Sequence, residues 1–252
     1  MKNGIFLRNV VAAAICLAGS ITAFAQEAGV EIDGVTWATR NVDAPGTFAA
    51  TPESAGMFYQ WNRKVGWSAT DPLVNSDGST VWDYSTPTGD TWAAANDPCP
   101  AGWRVPTIEE LQGLLNSGWE WTGTPVSGII FGAGGNTIFV PIVSARGAGG
   151  NLFNWSGSTL WSNTKSEEDD EGASDLIMLA TGPYIYHDLR ILAVSVRCVK
   201  NSNDGVNDIS ADTENATVAG YYDLLGKKLN EEPTKGIYFI LYDNGKAKKV
   251  TK

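Results

Sequence analysis

Asp97-Pro-Cys-Pro-Ala-Gly-Trp-Arg-Val-Pro-Thr-Ile-Glu-Glu-Leu111 is the stretch that decides the fold. Pro98, Pro100 and Gly102 enforce a turn, and Trp103-Arg-Val105 reads as a short strand. Thr107 then offers an N-cap hydroxyl and Glu110 stands three residues on, the spacing of a capping box. Leu111, Leu114 and Leu115 supply one apolar helix face. The second cysteine word, Val194-Ser-Val-Arg-Cys-Val-Lys200, reads as a closing core strand. Outside the first 25 residues, Cys99 and Cys198 are the only cysteines. Two cysteines allow one intramolecular pairing, and an exported chain permits it. The alternative is two separate buried thiols.

Residues 1–25 read as a signal peptide. Lys2 and Arg8 give the basic n-region, Val10 to Ile21 is apolar or small, and Ala23-Phe-Ala25 fits a cleavage site. The apolar run is too short to span a bilayer. Cys16 lacks the small preceding residue of a lipobox. The formal net charge of −10 becomes −12 once the two leader cations are removed. That balance argues against nucleic-acid and anionic-membrane partners. The charge is uneven: Gly226 to Lys252 carries seven lysines against three acids, while residues 26–225 are strongly acidic. All ten tryptophans lie between Trp37 and Trp161, as expected of an irregular, loop-rich fold packed by aromatic rings.

Along the chain, Val30–Trp37 alternates around Asp33-Gly34 and predicts a hairpin. Phe58–Trp61 reads as a short strand. Residues 66–98 read as a long ordered loop pinned by Trp67, Trp82 and Trp92. Residues 116–135 read as a second loop and 145–157 as a Gly-rich loop. Thr137–Pro141, Thr159–Ser162, Ser174–Ala180 and Ala193–Val199 read as strands. The expected organisation is a main domain over 26–200, a linker over 201–213 and a small all-β unit over 214–252. In that last unit Asp243-Asn-Gly245 forms the final turn.

Several words in this order carry a resemblance: Trp37-Ala-Thr-Arg-Asn-Val42, Tyr59-Gln-Trp61, Asp97–Thr107, Leu160-Trp-Ser162 and Ser195-Val-Arg-Cys198. Over residues 30–200 the chain resembles the Fibrobacter succinogenes major paralogous domain, a family of bacterial surface proteins. The resemblance implies an α+β, C-type lectin-like domain. In that fold the terminal strands pair and one long disulfide ties the helix region to the last strand; Cys99–Cys198 would be its counterpart. The tail, Gly220-Tyr-Tyr-Asp-Leu-Leu-Gly226 followed by Pro233-Thr-Lys-Gly-Ile-Tyr238 and a Lys-rich end, resembles a type IX secretion sorting signal of Bacteroidetes. It implies a partner in the secretion machinery and a location outside the cell or on its surface.

No cofactor, metal or catalytic set is expected. The Glu-Pro-Asn, Gln-Pro-Asp and Trp-Asn-Asp words of calcium-dependent lectins are missing, Trp161-Ser-Asn163 being a partial echo. The run Glu167–Glu171 reads as solvated surface. Both cysteines are assigned to a bridge, unlike the reactive thiols of formylglycine-generating enzymes, which share the implied fold. The lone histidine, His187, lies in Tyr184–Arg190, read as a turn, with no nucleophile-elbow motif to make a triad with Asp188 and Ser195. Candidate binding residues are the loop aromatics and their neighbours: Trp67, Trp82, Asp83, Tyr84, Trp119 and Trp121. The competing reading is that these indoles are core. Trp103 and Trp161 are assigned to the core. The expected function is a secreted or surface-displayed, non-catalytic binding or adhesion module whose partners are glycans or surface proteins. The alternatives are a structural subunit of a surface assembly and a degenerate relative of formylglycine-generating enzymes.

Overall fold

The computed structural model describes residues 27–153, 155–201, 217–223, 226–243 and 247–251. The leader, Cys16 and most of the expected linker lie outside the described residues.

β1 (Val30–Ile32) and β2 (Val35–Trp37) form the expected hairpin, with Asp33 and Gly34 at φ 51° and 77°. Both turn residues at positive φ match the twist of the flanking strands, which is why Asp-Gly suits this site. β3 (Met57–Gln60) and β4 (Gly66–Ser68) follow, then β5 (Trp103–Arg104) and α1 (Ile108–Asn116). The capping box closes as read: the Glu110 amide donates to Thr107 Oγ1, and the Thr107 amide donates to Glu110 Oε2. Glu110 also receives both arms of the Arg104 guanidinium, at 2.7 and 2.5 Å. The helix start is thereby fastened to β5.

β6 (Trp119–Thr122), β7 (Gly128–Ala133) and β8 (Asn136–Pro141) form an antiparallel meander. Residues 116–135 are therefore not one loop but carry two of these strands, β6 and β7. The alternation in Trp119-Glu-Trp-Thr122 and the apolar Ile129-Ile-Phe131 pair across it. β9 (Ser158–Lys165), β10 (Gly172–Leu179) and β11 (Gly182–Leu189) form a second three-stranded sheet in the order β11-β10-β9. Tyr184–Leu189 is thus strand, not turn: its alternating Tyr-Ile-Tyr pattern is paired along its full length with β10. The expected closing strand is broken into β12 (Ala193–Val194) and β13 (Val199–Lys200). β12 pairs with β3, while β13 pairs with β2 and β5.

The expected α+β, C-type lectin-like class is corrected by this inventory. The described residues are 40% strand and 6% helix, in several small antiparallel sheets with one α-helix. A nine-residue helix packed among five sheets is an accessory to a mostly β architecture.

α1 lays Leu111 and Leu114 on Ile129, Phe131, Ile138, Val140, Leu160, Leu176 and Met178, forming one core. A second core surrounds Tyr59, Trp61, Trp92, Trp161, Val194 and Val196. Its indoles are spent internally: Trp161 Nε1 donates to the Tyr59 carbonyl at 2.7 Å and Trp61 Nε1 to the Ser162 carbonyl at 3.0 Å. Cys99 and Cys198 are bonded in the same core, Cα atoms 6.0 Å apart. A third, smaller core holds Phe58, Trp67, Trp82 and Ala193.

In the C-terminal segment, β14 (Val218–Tyr222), β15 (Lys228–Leu229), β16 (Ile237–Tyr242) and β17 (Ala247–Thr251) form one four-stranded sheet in the order β15-β14-β16-β17. The sequence predicts three short strands here, over 216–224, 236–242 and 246–252; β15 adds a fourth. The final turn, Asn244-Gly245, lies outside the described residues. Among the described residues no helix is long and apolar enough to cross a membrane.

Candidate functional site

Strand alternation places Thr159 of β9, Ile177 of β10 and Asp188 of β11 on one face of their sheet. Thr159 pairs directly with Ile177, and Asp188 pairs with Ala173, which shares the face of Asp175 and Ile177. This face is the floor of a pocket of about 350 Å³. Its walls are Ala145, Phe153 and Trp155 of the Gly-rich loop and Leu192 and Val194 of the β11–β12 corner.

Two glycines seat the aromatic walls. A Cβ on Gly157 would fall 2.2 Å from the Trp155 ring, and one on Gly147 would fall 2.9 Å from the Phe153 ring. Contacts that close are inaccessible to any other residue without displacing the rings. The loop therefore needs its glycines at these positions to bring the aromatics over the sheet.

The polar floor rests on a carboxyl pair. Asp175 is fully buried, and neither of its oxygens receives a hydrogen from a donor among the described residues. Its neighbour on the same face is the Asp188 carboxyl, near enough for each to bear on the other's ionisation. Burial, reinforced by the adjacent Asp188 charge, raises the Asp175 pKa well above the ordinary carboxylate range. Burial also raises Asp188, opposed by the Asp175 hydrogen bond and by His187. Burial therefore favours the protonated form at Asp175, and Asp188 is the member that lines the pocket. Thr159 adds a second polar group to the wall; its hydroxyl is buried and has no partner among the described residues. The site thus combines apolar ring faces with a carboxyl group at the pocket surface.

The residues singled out from the sequence are dispersed. Trp67 and Trp82 are 2% and 4% exposed and pack on each other with ring centroids 4.7 Å apart. They are core. Asp83 bonds the amide and hydroxyl of Ser85 and pairs with Arg63 at 3.4 Å, so its carboxylate serves its own turn. Tyr84 beside it is exposed. Trp121 is half-buried against the helix core, while Trp119 is 44% exposed and lies across Gly182. Trp161 is fully buried; Trp103 is half-buried and edge-on to Phe48 at 5.5 Å.

Adjacent positions on β11 send His187 and Asp188 to opposite faces. His187 faces Ser174, stacks on Tyr186 and lies 3.8 Å from Glu168. Among the described residues no group of three His, Cys, Asp or Glu side chains could hold a metal ion. A larger pocket, about 550 Å³, borders the Asp97–Val105 word, but its main charged groups are engaged. Asp97 accepts from the Cys99 and Val105 amides, and Arg104 is bound to Glu110.

The sequence reading missed Phe153, Trp155, Asp175 and Asp188. Two signals were present: an aromatic pair bracketed by glycines in Gly147–Gly157, and a lone aspartate inside the apolar strand Ser174-Asp-Leu-Ile-Met-Leu179. No family model, curated protein or solved structure matches this chain.

Proposed function

We propose that this chain is a secreted or surface-displayed, non-catalytic binding module that takes a sugar ring in the pocket between Trp155, Phe153 and Asp188. The observation that carries the reading is the pairing of chemistries in one pocket. A ligand there must present an apolar face to the aromatic walls and O–H or N–H donors to Asp188. A polyhydroxylated ring with one apolar face meets both demands. Catalysis is disfavoured because Asp175 is sealed behind Asp188, leaving one carboxylate at the pocket surface. The words shared with the major paralogous domain and the sorting-signal-like tail support export and surface display.

A glycan array followed by titration calorimetry tests the site. Trp155→Ala and Asp188→Asn should each abolish retention of the bound glycan while leaving the urea midpoint near wild type. Absence of any retained glycan, or equal binding by both variants, overturns the reading. The display proposal is tested by deleting residues 220–252, which should release an oxidised, soluble chain from the cell surface; unchanged surface labelling would overturn it.

A further inference from the structure

Among the described residues β11 has a strand neighbour on one side only. Its even positions share the face of the pocket: Tyr184 stands directly opposite Ile177 and Tyr186 directly opposite Asp175. Tyr184 and Tyr186 are nevertheless 42% and 47% exposed, in the middle of an eight-residue strand. Their rings meet edge to face, centroids 6.2 Å apart and planes at 76°, and Tyr186 also stacks on His187. At the head of the strand Trp119 covers Gly182, where a Cβ would come within 2.8 Å of the indole. Trp119, Tyr184 and Tyr186 thus follow one another along β11 and end at Asp188. At about 3.3 Å per residue this track is about 20 Å long.

We infer that the ligand is a linear, uncharged oligosaccharide, with one ring seated in the pocket and successive rings laid on Tyr186, Tyr184 and Trp119. The inference rests on the sugar-binding reading and specifies its substrate class. The edge-to-face tyrosine pair with its polar phenol groups, followed by the Trp119 indole, gives a narrow line of ring contacts that suits a chain of flat units. A protein partner would instead be met by one contiguous apolar patch. Charge selects further. The exposed acids Glu167–Glu171 precede β10, and Gly172 pairs with Leu189 beside the pocket carboxylate. Uronate-rich or sulfated chains would be repelled there.

The test uses the full exported chain and calorimetric titration with β-1,4-linked oligomers of glucose, N-acetylglucosamine, mannose and xylose. Each sugar is supplied as monomer and as tetramer. For at least one series the tetramer should bind about tenfold or more tightly than the monomer, a gain of about 1.4 kcal/mol. Tyr184→Ala/Tyr186→Ala should erase that gain yet leave monomer binding and the urea midpoint unchanged. Monomer and tetramer binding alike in wild type would overturn the extended track while sparing the pocket. Loss of all sugar binding in wild type would overturn both. Concentration-dependent self-association in sedimentation velocity, abolished by the same double variant, would show that the face is a protein interface and overturn the track.

Discussion

Removing the Cys99–Cys198 bond should cost several kcal/mol, and the size of the loss follows from the chain separation. The bridge joins residues 99 positions apart. Cross-linking a loop that long removes unfolded-state entropy worth about 4.7 kcal/mol at 25 °C in the chain-entropy model. Cys198 is fully buried and Cys99 half-buried, so replacing both by alanine also loses some sulfur packing. The two contributions separate experimentally. Urea melts of the oxidised chain, the dithiothreitol-reduced chain and the Cys99→Ala/Cys198→Ala variant should be followed by tryptophan fluorescence. Oxidised and reduced chains should differ by about 3–5 kcal/mol. The double variant should fall within about 1 kcal/mol of the reduced chain, since Cys→Ala removes one small atom per site. The reasoning would be refuted if reduction shifted stability by less than about 1 kcal/mol. It would then follow that the native contacts of β13 with β2 and β5 hold the closing segment unaided.

Other consequences can be measured on the same material. Asp175 has its pKa raised in the folded state, so its contribution is fully present below the ordinary carboxyl pKa and is lost as pH rises through the folded value. Asp175→Asn should therefore match wild type near pH 3.5 and become progressively more stable than wild type as pH increases; a pH-independent difference in thermal midpoints would contradict this. Sugar binding should weaken as pH falls through the raised pKa of Asp188, and pH-independent affinity in calorimetry would contradict this. Gly157→Ala should weaken sugar binding at least tenfold by driving the Trp155 ring off its seat, with retained affinity counting against the cradle. Thr107→Ala should destabilise the fold by about 1 kcal/mol in urea through loss of the helix cap.

The parts of the fold legible in the sequence are those fixed by neighbours in the chain. The Asp33-Gly34 hairpin, the Thr107–Glu110 cap and the tail strands rest on local conformational preference. The cysteine pair was legible by elimination. What escaped were elements held from a distance. Residues 116–135 contain Gly118, Gly123, Gly128, Gly132, Gly134 and Gly135, and glycine density suggests loop. Yet Gly128 sits where a Cβ would press within 2.2 Å of Phe139, so there glycine admits a cross-strand ring to a strand interior. β11 was hidden for the converse reason. Its exposed tyrosines and histidine resemble a polar turn until β10 is known to pair with it. The loop indoles misled in the same way: Trp67 and Trp82 lie in turn-rich sequence because the turns wrap around them, so they mark a local core rather than a binding surface.

Three buried arginines explain how so irregular a chain holds together, and none was singled out by motif. Arg146 is fully buried and donates to the carbonyls of Ser68, Thr70 and Gly150, to Ser68 Oγ and to Asp71. It fastens the loop after β4 to the Gly-rich loop that carries Phe153 and Trp155. Arg190 donates to the carbonyls of Gly172, Pro87 and Gly89 while lying over the Trp61 ring at 4.4 Å. It ties the long 66–98 loop to the end of β11 next to Asp188. Arg197, pulled down to about 9 by burial, donates to Asn41 and the Ala38 carbonyl beside the disulfide. Loop carbonyls have no ladder to satisfy them, and a buried carbonyl left unpaired costs about 1–3 kcal/mol. A guanidinium fork satisfies several at once from a single side chain. Arg146→Met keeps much of the volume and removes the fork, so it should cost at least about 2 kcal/mol. It should also weaken sugar binding, because the loop bearing Trp155 loses its anchor. A variant that lost stability yet bound sugar with unchanged affinity at saturating fold would show that the pocket loop is held by Gly147 and Gly157 alone.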